Sequence, residues 1–532
     1  MSPVSADAVT AATPPPAGLR RPIVASLRLG LVGSILVTLG SYGVGDIPRA
    51  NTWLQDVSMA WVTYGHGKSV AGLLFWAGVA LMVWAWIRLG RAFLAHRSDA
   101  HVPDTDGAPT DDGAVDEQVP GLRWWAAAWA LPLMLAVPVY SRDVYAYLAQ
   151  AALLRDGLNP YTDGPATSPG PLLDSMAQVW ATTTAPYGPF FVEIARGVTE
   201  ITGDNPVAGV FAMRLVMLPG WLLAIWAVPA LARRLGRDPR IALWLAVFNP
   251  MLVIHLVGGP HVEMLMAGLL VAGVALVVAR RHVVGLLVVA VAVSIKITAG
   301  IAVPFVLWIW LAHIRSQRAV RPRDVVAIVA SIVAITGAVF AVATVVVGHG
   351  LGWLTGLGYA DRIVNWLTIP TAVAHLVTLV AAPFTALPLP PVLSVARTVG
   401  AVALAVILVA TWWRFRHDER TAVVGIAVAM VAVLALEPST LPWYYSWALV
   451  FAGAALLGRR SLAAIVAACT LLLIVFQPDD SILLYEPVDL LVAAAIAGFA
   501  GWSLVRKDSS RSRILVRPHR RTGQRSPSTG VS

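Results

Sequence analysis

The chain has 532 residues, 58% of them hydrophobic and only 13% charged, roughly half the charged fraction of an average soluble domain. That balance excludes a soluble globular enzyme, a disordered chain and a fibrous repeat, and the single cysteine excludes a disulfide framework and a thiolate metal cluster. The net charge of +10 does not point to nucleic acid, because the basic residues punctuate apolar runs, as membrane topology requires.

Residues 1–25 read as a disordered cytoplasmic leader, since the Pro- and Ala-rich stretch 1–19 lacks the apolar core of a cleavable signal. Apolar runs of about 20 residues predict membrane-spanning helices, because hydrocarbon offers backbone polar groups no water. The first three lie at 29–45, 68–90 and 122–140. Between the second and third, 98–118 carries seven acids and no Lys or Arg and reads as a disordered cytoplasmic loop. The longest outer loop, 140–205, follows. Runs then continue at 207–232, 240–257 and 262–280. The stretch 283–314 is too long for one span and has Arg at both ends, which predicts a hairpin of two short helices turning near Lys296–Ala299. Further runs occupy 324–346, 392–413, 421–437, 442–458, 461–477 and 487–505, and the basic segment 506–532 reads as a cytoplasmic tail on anionic lipid or disordered. Only nine of the 39 Lys and Arg then fall outside the cytoplasmic segments, a strong bias by the positive-inside rule. The same rule makes 366–388 an outer re-entrant or interfacial segment. The expectation is an all-α polytopic membrane protein of about 12–14 transmembrane helices, its membrane domain spanning 26–505.

Polar residues collect on the predicted outer face. In the loop beginning SRDVYAYLAQAALLRDGLNPYTDGP, Asp143, Tyr147 and Gln150 share one helix face, with Val144, Leu148, Ala151 and Leu154 on the other. Such a helix is expected to lie flat at the interface, placing Asp143 beside lipid head groups, although an Asp at that point also suits an N-cap. Tyr187, in the turn Pro186–Pro189, can stack on a sugar ring or only re-enter the membrane. His261 and Glu263 sit at a turn and can bind a sugar, a metal or each other; two ligands are far short of a metal set. Lys296 lies where a cation costs about 2.5–3.5 kcal/mol to insert, so it either faces an anion or snorkels. Arg362 is a candidate phosphate contact, since a guanidinium bonds two phosphate oxygens at once. Trp443 and Tyr444, in LPWYYSW after Glu437, are candidates for sugar contact or for an interfacial aromatic belt. Cys469 lies within a span and reads as packing.

One carboxylate at a membrane surface, scattered cations and many aromatic rings suit glycosyl transfer from a lipid phosphate. The carboxylate takes the proton of the attacking hydroxyl, and a cation stabilises the departing phosphate. No Gly-rich phosphate loop follows a strand, which fits a donor that is not a nucleotide. A transporter or flippase of lipid-linked sugar is the alternative from another class, but transporters place paired charges at the bilayer midplane and often show inverted repeats, and this chain shows neither.

The segments SRDVYAYLAQAALLRDGLNPYTDGP, ATTTAPYGPFF, FNPMLVIHLVGGPHVEMLM, SIKITAGIAVPF, VNWLTIPTA and LPWYYSW together resemble the alpha-(1→6)-mannopyranosyltransferases of mycobacteria and corynebacteria, more closely their A type, over residues 25–505. The resemblance implies a glycosyltransferase C-type fold in the cell membrane with its active site on the extracytoplasmic face. It implies a polyprenyl-phosphate-mannose donor and inverting transfer to the 6-hydroxyl of a mannan acceptor carried on phosphatidylinositol, elongating the lipomannan and lipoarabinomannan core. An enzyme that initiates or branches the same glycolipid is the nearest alternative. By residue match Asp143 is the catalytic acid-base group, and Arg142 belongs to the same motif as a further donor-phosphate candidate. No cofactor is implied, and dependence on a divalent metal stays open.

Overall fold

The computed structural model describes residues 17–49, 53–99, 112–348, 350–354 and 363–506. Most of the predicted leader (1–16), the middle of the acidic loop (100–111), Arg362 and the tail from 507 lie outside the described residues.

The described chain is all-α, broken only by a bridge between Phe476 and Ile482. In chain order its main helices are α1 (Ala17–Val44), α2 (Gly65–Asp99), α3 (Asp112–Leu133), α4 (Asp143–Arg155), α5 (Pro189–Thr202), α6 (Pro206–Arg234), α7 (Pro239–Ala246), α8 (Pro250–Gly258), α9 (Glu263–Val278), α10 (His282–Ile295), α11 (Val303–Arg315), α12 (Pro322–Val347), α13 (Ile369–Ala381), α14 (Leu389–Arg414), α15 (Glu419–Leu436), α16 (Ser446–Ala452), α17 (Arg459–Val475) and α18 (Pro487–Val505). Several starts follow from an Asn-Pro or Asp-Pro pair, in which the side chain caps and the proline occupies the first helical position. Asn205 accepts from the N–H groups of Val207 and Ala208 at 3.0 and 3.1 Å, and Asp238 accepts from Arg240 at 2.8 Å. At Asn249–Pro250 the same device breaks a span, and α7 and α8 meet at 51°.

Among the described residues, eight helices are long and apolar enough to cross a bilayer, or nine if the bent α7–α8 pair counts as one span. The apolar runs had predicted 12–14, and the difference lies in their length as helices. The run 442–458 folds as a 3₁₀ turn and the seven-residue α16. The run 122–140 loses its end to turns after Leu133. Helices α9 and α10, of 16 and 14 residues, reach only about 21–24 Å against a hydrocarbon core of about 30 Å. Helix α13, within the segment 366–388, is similarly short. Helix α3 begins inside the acidic stretch, so 112–118 is helical.

Helix α9 is apolar on all sides and correspondingly buried almost throughout. It packs against α6 through facing glycines. A Cβ on Gly268 would stand 1.9 Å from the carbonyl oxygen of Gly220, so only glycine permits this approach. Helices α1 with α2, and α17 with α18, form the other close pairs. Helices α12 and α14, by contrast, turn most of their apolar side chains outward.

Candidate functional site

A cavity of about 260 Å³ opens between α4, the segment 180–187, the break between α10 and α11, and the chain following α15. Asp143, Gln150, Thr184, Tyr187, Lys296, Glu437, Tyr444 and Trp447 line it.

Helix α4 starts at Asp143, after Tyr140 adopts a left-handed backbone at φ 71°. That strained residue is held on three sides. Its N–H donates to Pro478 O at 3.1 Å, its hydroxyl donates to Leu473 O at 3.1 Å, and its ring lies 4.4 Å from that of His255. Arg142 does not line the cavity. Its guanidinium is 3.2 Å from the buried Asp46 carboxylate and donates to the carbonyls of Ile47 and Ser175 at 3.2 and 2.9 Å. Tyr145 anchors the same helix by donating to Asp46 O at 2.7 Å.

The flat interfacial helix expected here is not found: every residue from Val144 to Leu153 is buried inside the protein. The shared face of Asp143, Tyr147 and Gln150 is real, but it faces a protein-lined cavity and a second wall of side chains rather than water. Tyr147 hydroxyl approaches His261 Nδ1 at 3.4 Å, and its ring packs edge-on against Tyr187 at 5.1 Å. His261 Nδ1 stands 3.5 Å from Asp143 Oδ2, and the imidazole stacks on Trp443 at 3.6 Å between centroids. Tyr147, His261, Glu263 and Trp443 are thus packed behind the cavity wall, while Tyr187 and Tyr444 open onto it.

Asp143 is held at about 7, well above the ordinary carboxylate range, chiefly by burial and then by the nearby charges of Asp480 and Glu263; a hydrogen bond with Ser141 and the charge of Lys296 oppose the shift. Asp480 is itself raised to about 6 by burial, against the pull of Arg142.

Lys296 sits where the helix breaks. Helix α10 ends at Ile295, Lys296 is extended (φ −144°, ψ 121°), and a 3₁₀ stretch, Ile297–Ala302, leads into α11. The break expected near Lys296–Ala299 is therefore present, although α10 packs chiefly on α9 and α12 rather than on α11. Lys296 forms an ion pair with the buried Glu263, and its ammonium lies 4.2 Å from the centre of the Tyr444 ring and 5.3 Å from that of Trp447. Gly188 closes this wall from the segment between α4 and α5. Its N–H donates to Ile295 O at 3.0 Å, and a Cβ there would come within 2.1 Å of Ser294 O.

Of the cations singled out in the sequence, Lys296 lines the cavity, Arg142 is engaged elsewhere and Arg362 lies outside the described residues. Sequence reasoning assigned no role to Gln150, Trp180, Thr184, Thr298, Glu437 or Trp447, all of which line the cavity. The available signals were the polar TTT run before APYGP and an acid ending an apolar run at Glu437. Among the described residues, no group of three or more His, Cys, Asp or Glu is arranged to hold a metal ion.

Residues 27–312 match the family model of the alpha-(1→6)-mannopyranosyltransferase N-terminal domain, and residues 370–506 match that of the MptB C-terminal domain. Alpha-(1→6)-mannopyranosyltransferase A of Mycobacterium tuberculosis is 42% identical over 485 residues, covering 91% of this chain and 90% of its own length. The enzyme of that name from Corynebacterium glutamicum is 34% identical, covering 87% and 95%. Alpha-(1→6)-mannopyranosyltransferase B of C. glutamicum is 30% identical, covering 80% and 72%. Among solved structures, the archaeal oligosaccharyltransferase AglB of Archaeoglobus fulgidus, in complex with an inhibitory peptide and a dolichol-phosphate, aligns over 73% of this chain and 55% of its own, at 13% identity and a TM-score of 0.39.

Proposed function

The chain belongs to the alpha-(1→6)-mannopyranosyltransferase family, and from that premise we propose that it transfers mannose from polyprenyl-phosphate-mannose to the 6-hydroxyl of an alpha-(1→6)-mannan. It is a multi-pass membrane glycosyltransferase. The acceptor is the mannan built on phosphatidylinositol, and the step elongates the lipomannan and lipoarabinomannan core. Identity is higher to the two A enzymes than to the B enzyme, and it is the resemblance to the A type that favours elongation. The distribution of Lys and Arg supports an active site on the extracytoplasmic face.

Asp143 is the general base. The acceptor hydroxyl gives its proton to this carboxylate as its oxygen attacks the anomeric carbon. The bond from that carbon to the phosphate oxygen breaks, and the electron pair leaves on the phosphate. Attack from the opposite face inverts the centre, so a beta-linked donor yields an alpha linkage. A base is most useful when its proton affinity sits near the working pH, and burial raises Asp143 into that range. Lys296 faces the phosphate, where its charge offsets the negative charge that grows as the bond breaks.

The observation that carries this reading is that a carboxylate and a cation open onto one cavity, Asp143 on one wall and Lys296 on another. The test is Asp143→Asn in membranes supplied with polyprenyl-phosphate-mannose and mannan. Loss of a positioned base costs about 10²–10⁴-fold in rate, and full transfer by this variant overturns the assignment.

A further inference from the structure

Buried polar atoms almost always have partners, yet this cavity collects several that have none among the described residues: Gln150 Oε1, Thr184 Oγ1, Thr298 Oγ1, Glu437 Oε1 and Trp447 Nε1. Donors and acceptors so spaced around one small volume suit a ligand carrying hydroxyls in several directions. They fall into two groups. Gln150 shares α4 with Asp143 and Thr184 lies in the segment 180–187, whereas Thr298 is two residues from Lys296 and Trp447 lies beneath the Lys296 ammonium.

Glu437 belongs to the second group. It ends α15, where its N–H donates to Val433 O at 2.8 Å while its backbone turns to extended geometry, leaving the side chain free of the helix. Seven residues of chain then carry it to Tyr444 and ten to Trp447, the two rings that flank Lys296. The transfer needs one proton acceptor, and Asp143 supplies it, so a second cavity acid has no part in moving that proton.

We propose that Glu437 is the sugar-reading residue of the cavity: its carboxyl group bonds a ring hydroxyl of the donor mannose whose phosphate faces Lys296, and thereby selects which hexose is transferred. The assignment rests on the mannosyl-transfer reading above. Burial pushes the Glu437 carboxyl up to about 8, so near neutral pH it can both donate to and accept from a hydroxyl. A site built to bond a hydroxyl discriminates strongly against an analogue lacking it, because its own polar atom is then left unpaired.

The test uses the full chain in membranes, with polyprenyl-phosphate-mannose and the donors lacking the 2-, 3- or 4-hydroxyl of mannose. Wild type is expected to disfavour one deoxy donor by about 5- to 150-fold in kcat/KM, the range for leaving a buried polar group without its partner. Glu437→Ala should lose a similar factor with the natural donor and almost nothing with that one deoxy donor, while Glu437→Gln, which keeps an acceptor and a donor, should retain most of the natural activity. An equal loss by Glu437→Ala with every donor overturns the proposal, as does a wild type indifferent to all three deletions, a result that needs no variant to fold. In both cases mannose transfer itself stands. A wild type that transfers no mannose overturns both this inference and the reading it rests on.

Discussion

Replacing Asp143 by Asn should abolish transfer and at the same time make the folded protein more stable, increasingly so as pH rises. Carrying this carboxyl from an ordinary value of 3.8 to about 7 corresponds to about 4 kcal/mol against the ionised form in the folded state, at about 1.4 kcal/mol per factor of ten. Between those two values the unfolded chain binds fewer protons at this position than the folded one, so wild-type stability falls as pH rises through the window. Asparagine never carries that charge. The variant should therefore melt at nearly the wild-type temperature near pH 4 and a few degrees above it at pH 8, the order expected for a change of about 4 kcal/mol in a chain of this size. Thermal melts of purified, detergent-solubilised protein at pH 5, 6, 7 and 8 give the comparison. In parallel, wild-type kcat/KM should climb with pH and level off near 7 as the base ionises. A variant that melts no higher than wild type at pH 8, or by a margin that does not change with pH, refutes the account of a buried, destabilised carboxylate.

Lys296→Met leaves Glu263 charged and unpaired in the interior, a loss of about 3–5 kcal/mol; adding Glu263→Gln should restore yield and melting temperature but not activity, and in residual turnover the donor dependence should suffer more than the acceptor dependence. Arg142→Ala removes the ion pair with Asp46 and two carbonyl contacts at the start of α4, so it should depress kcat while the KM for donor stays close to wild type; a selective rise in that KM would return Arg142 to the donor site. A reporter fused at Asp174 should read the extracytoplasmic side and one at Arg506 the cytoplasm, and the reverse pattern would invert the topology.

The two groups on which the proposed chemistry rests stand out in the sequence because each contradicts its surroundings. Lys296 is a charge within an apolar stretch, and Asp143 opens a polar loop just after a span. The fate of α4 was not legible. Its pattern of Val144, Leu148, Ala151 and Leu154 opposite Asp143, Tyr147 and Gln150 is that of a helix at an interface, and periodicity does not distinguish water from a polar cavity inside the protein. Burial becomes affordable for the polar face only through distant partners: Asp46 for Arg142 and Tyr145, and His261 for Tyr147. Those partners lie about 100 residues away in either direction, with no local trace. Glu437 was visible as an acid ending an apolar run, but its access to the cavity depends on the bend after α15. The difference in span number has the opposite cause: the apolar runs are present, but turns and breaks shorten several of them as helices, so fewer single helices among the described residues reach a spanning length.

In an unbroken helix the carbonyl of Ile295 would bond the amide of Ala299; here it takes the amide of Gly188 instead, and Ala299 turns back to Lys296. That substitution ties the segment before α5 to the end of α10, at the residue before the lysine. The backbone beside Tyr187 is therefore joined directly to the backbone beside Lys296. Attempts to retarget the enzyme by redesigning residues 182–188 should consequently disturb the Lys296 side of the cavity as well. Changes at Gln150 act instead from α4, which meets that segment through the packing of Tyr147 on Tyr187.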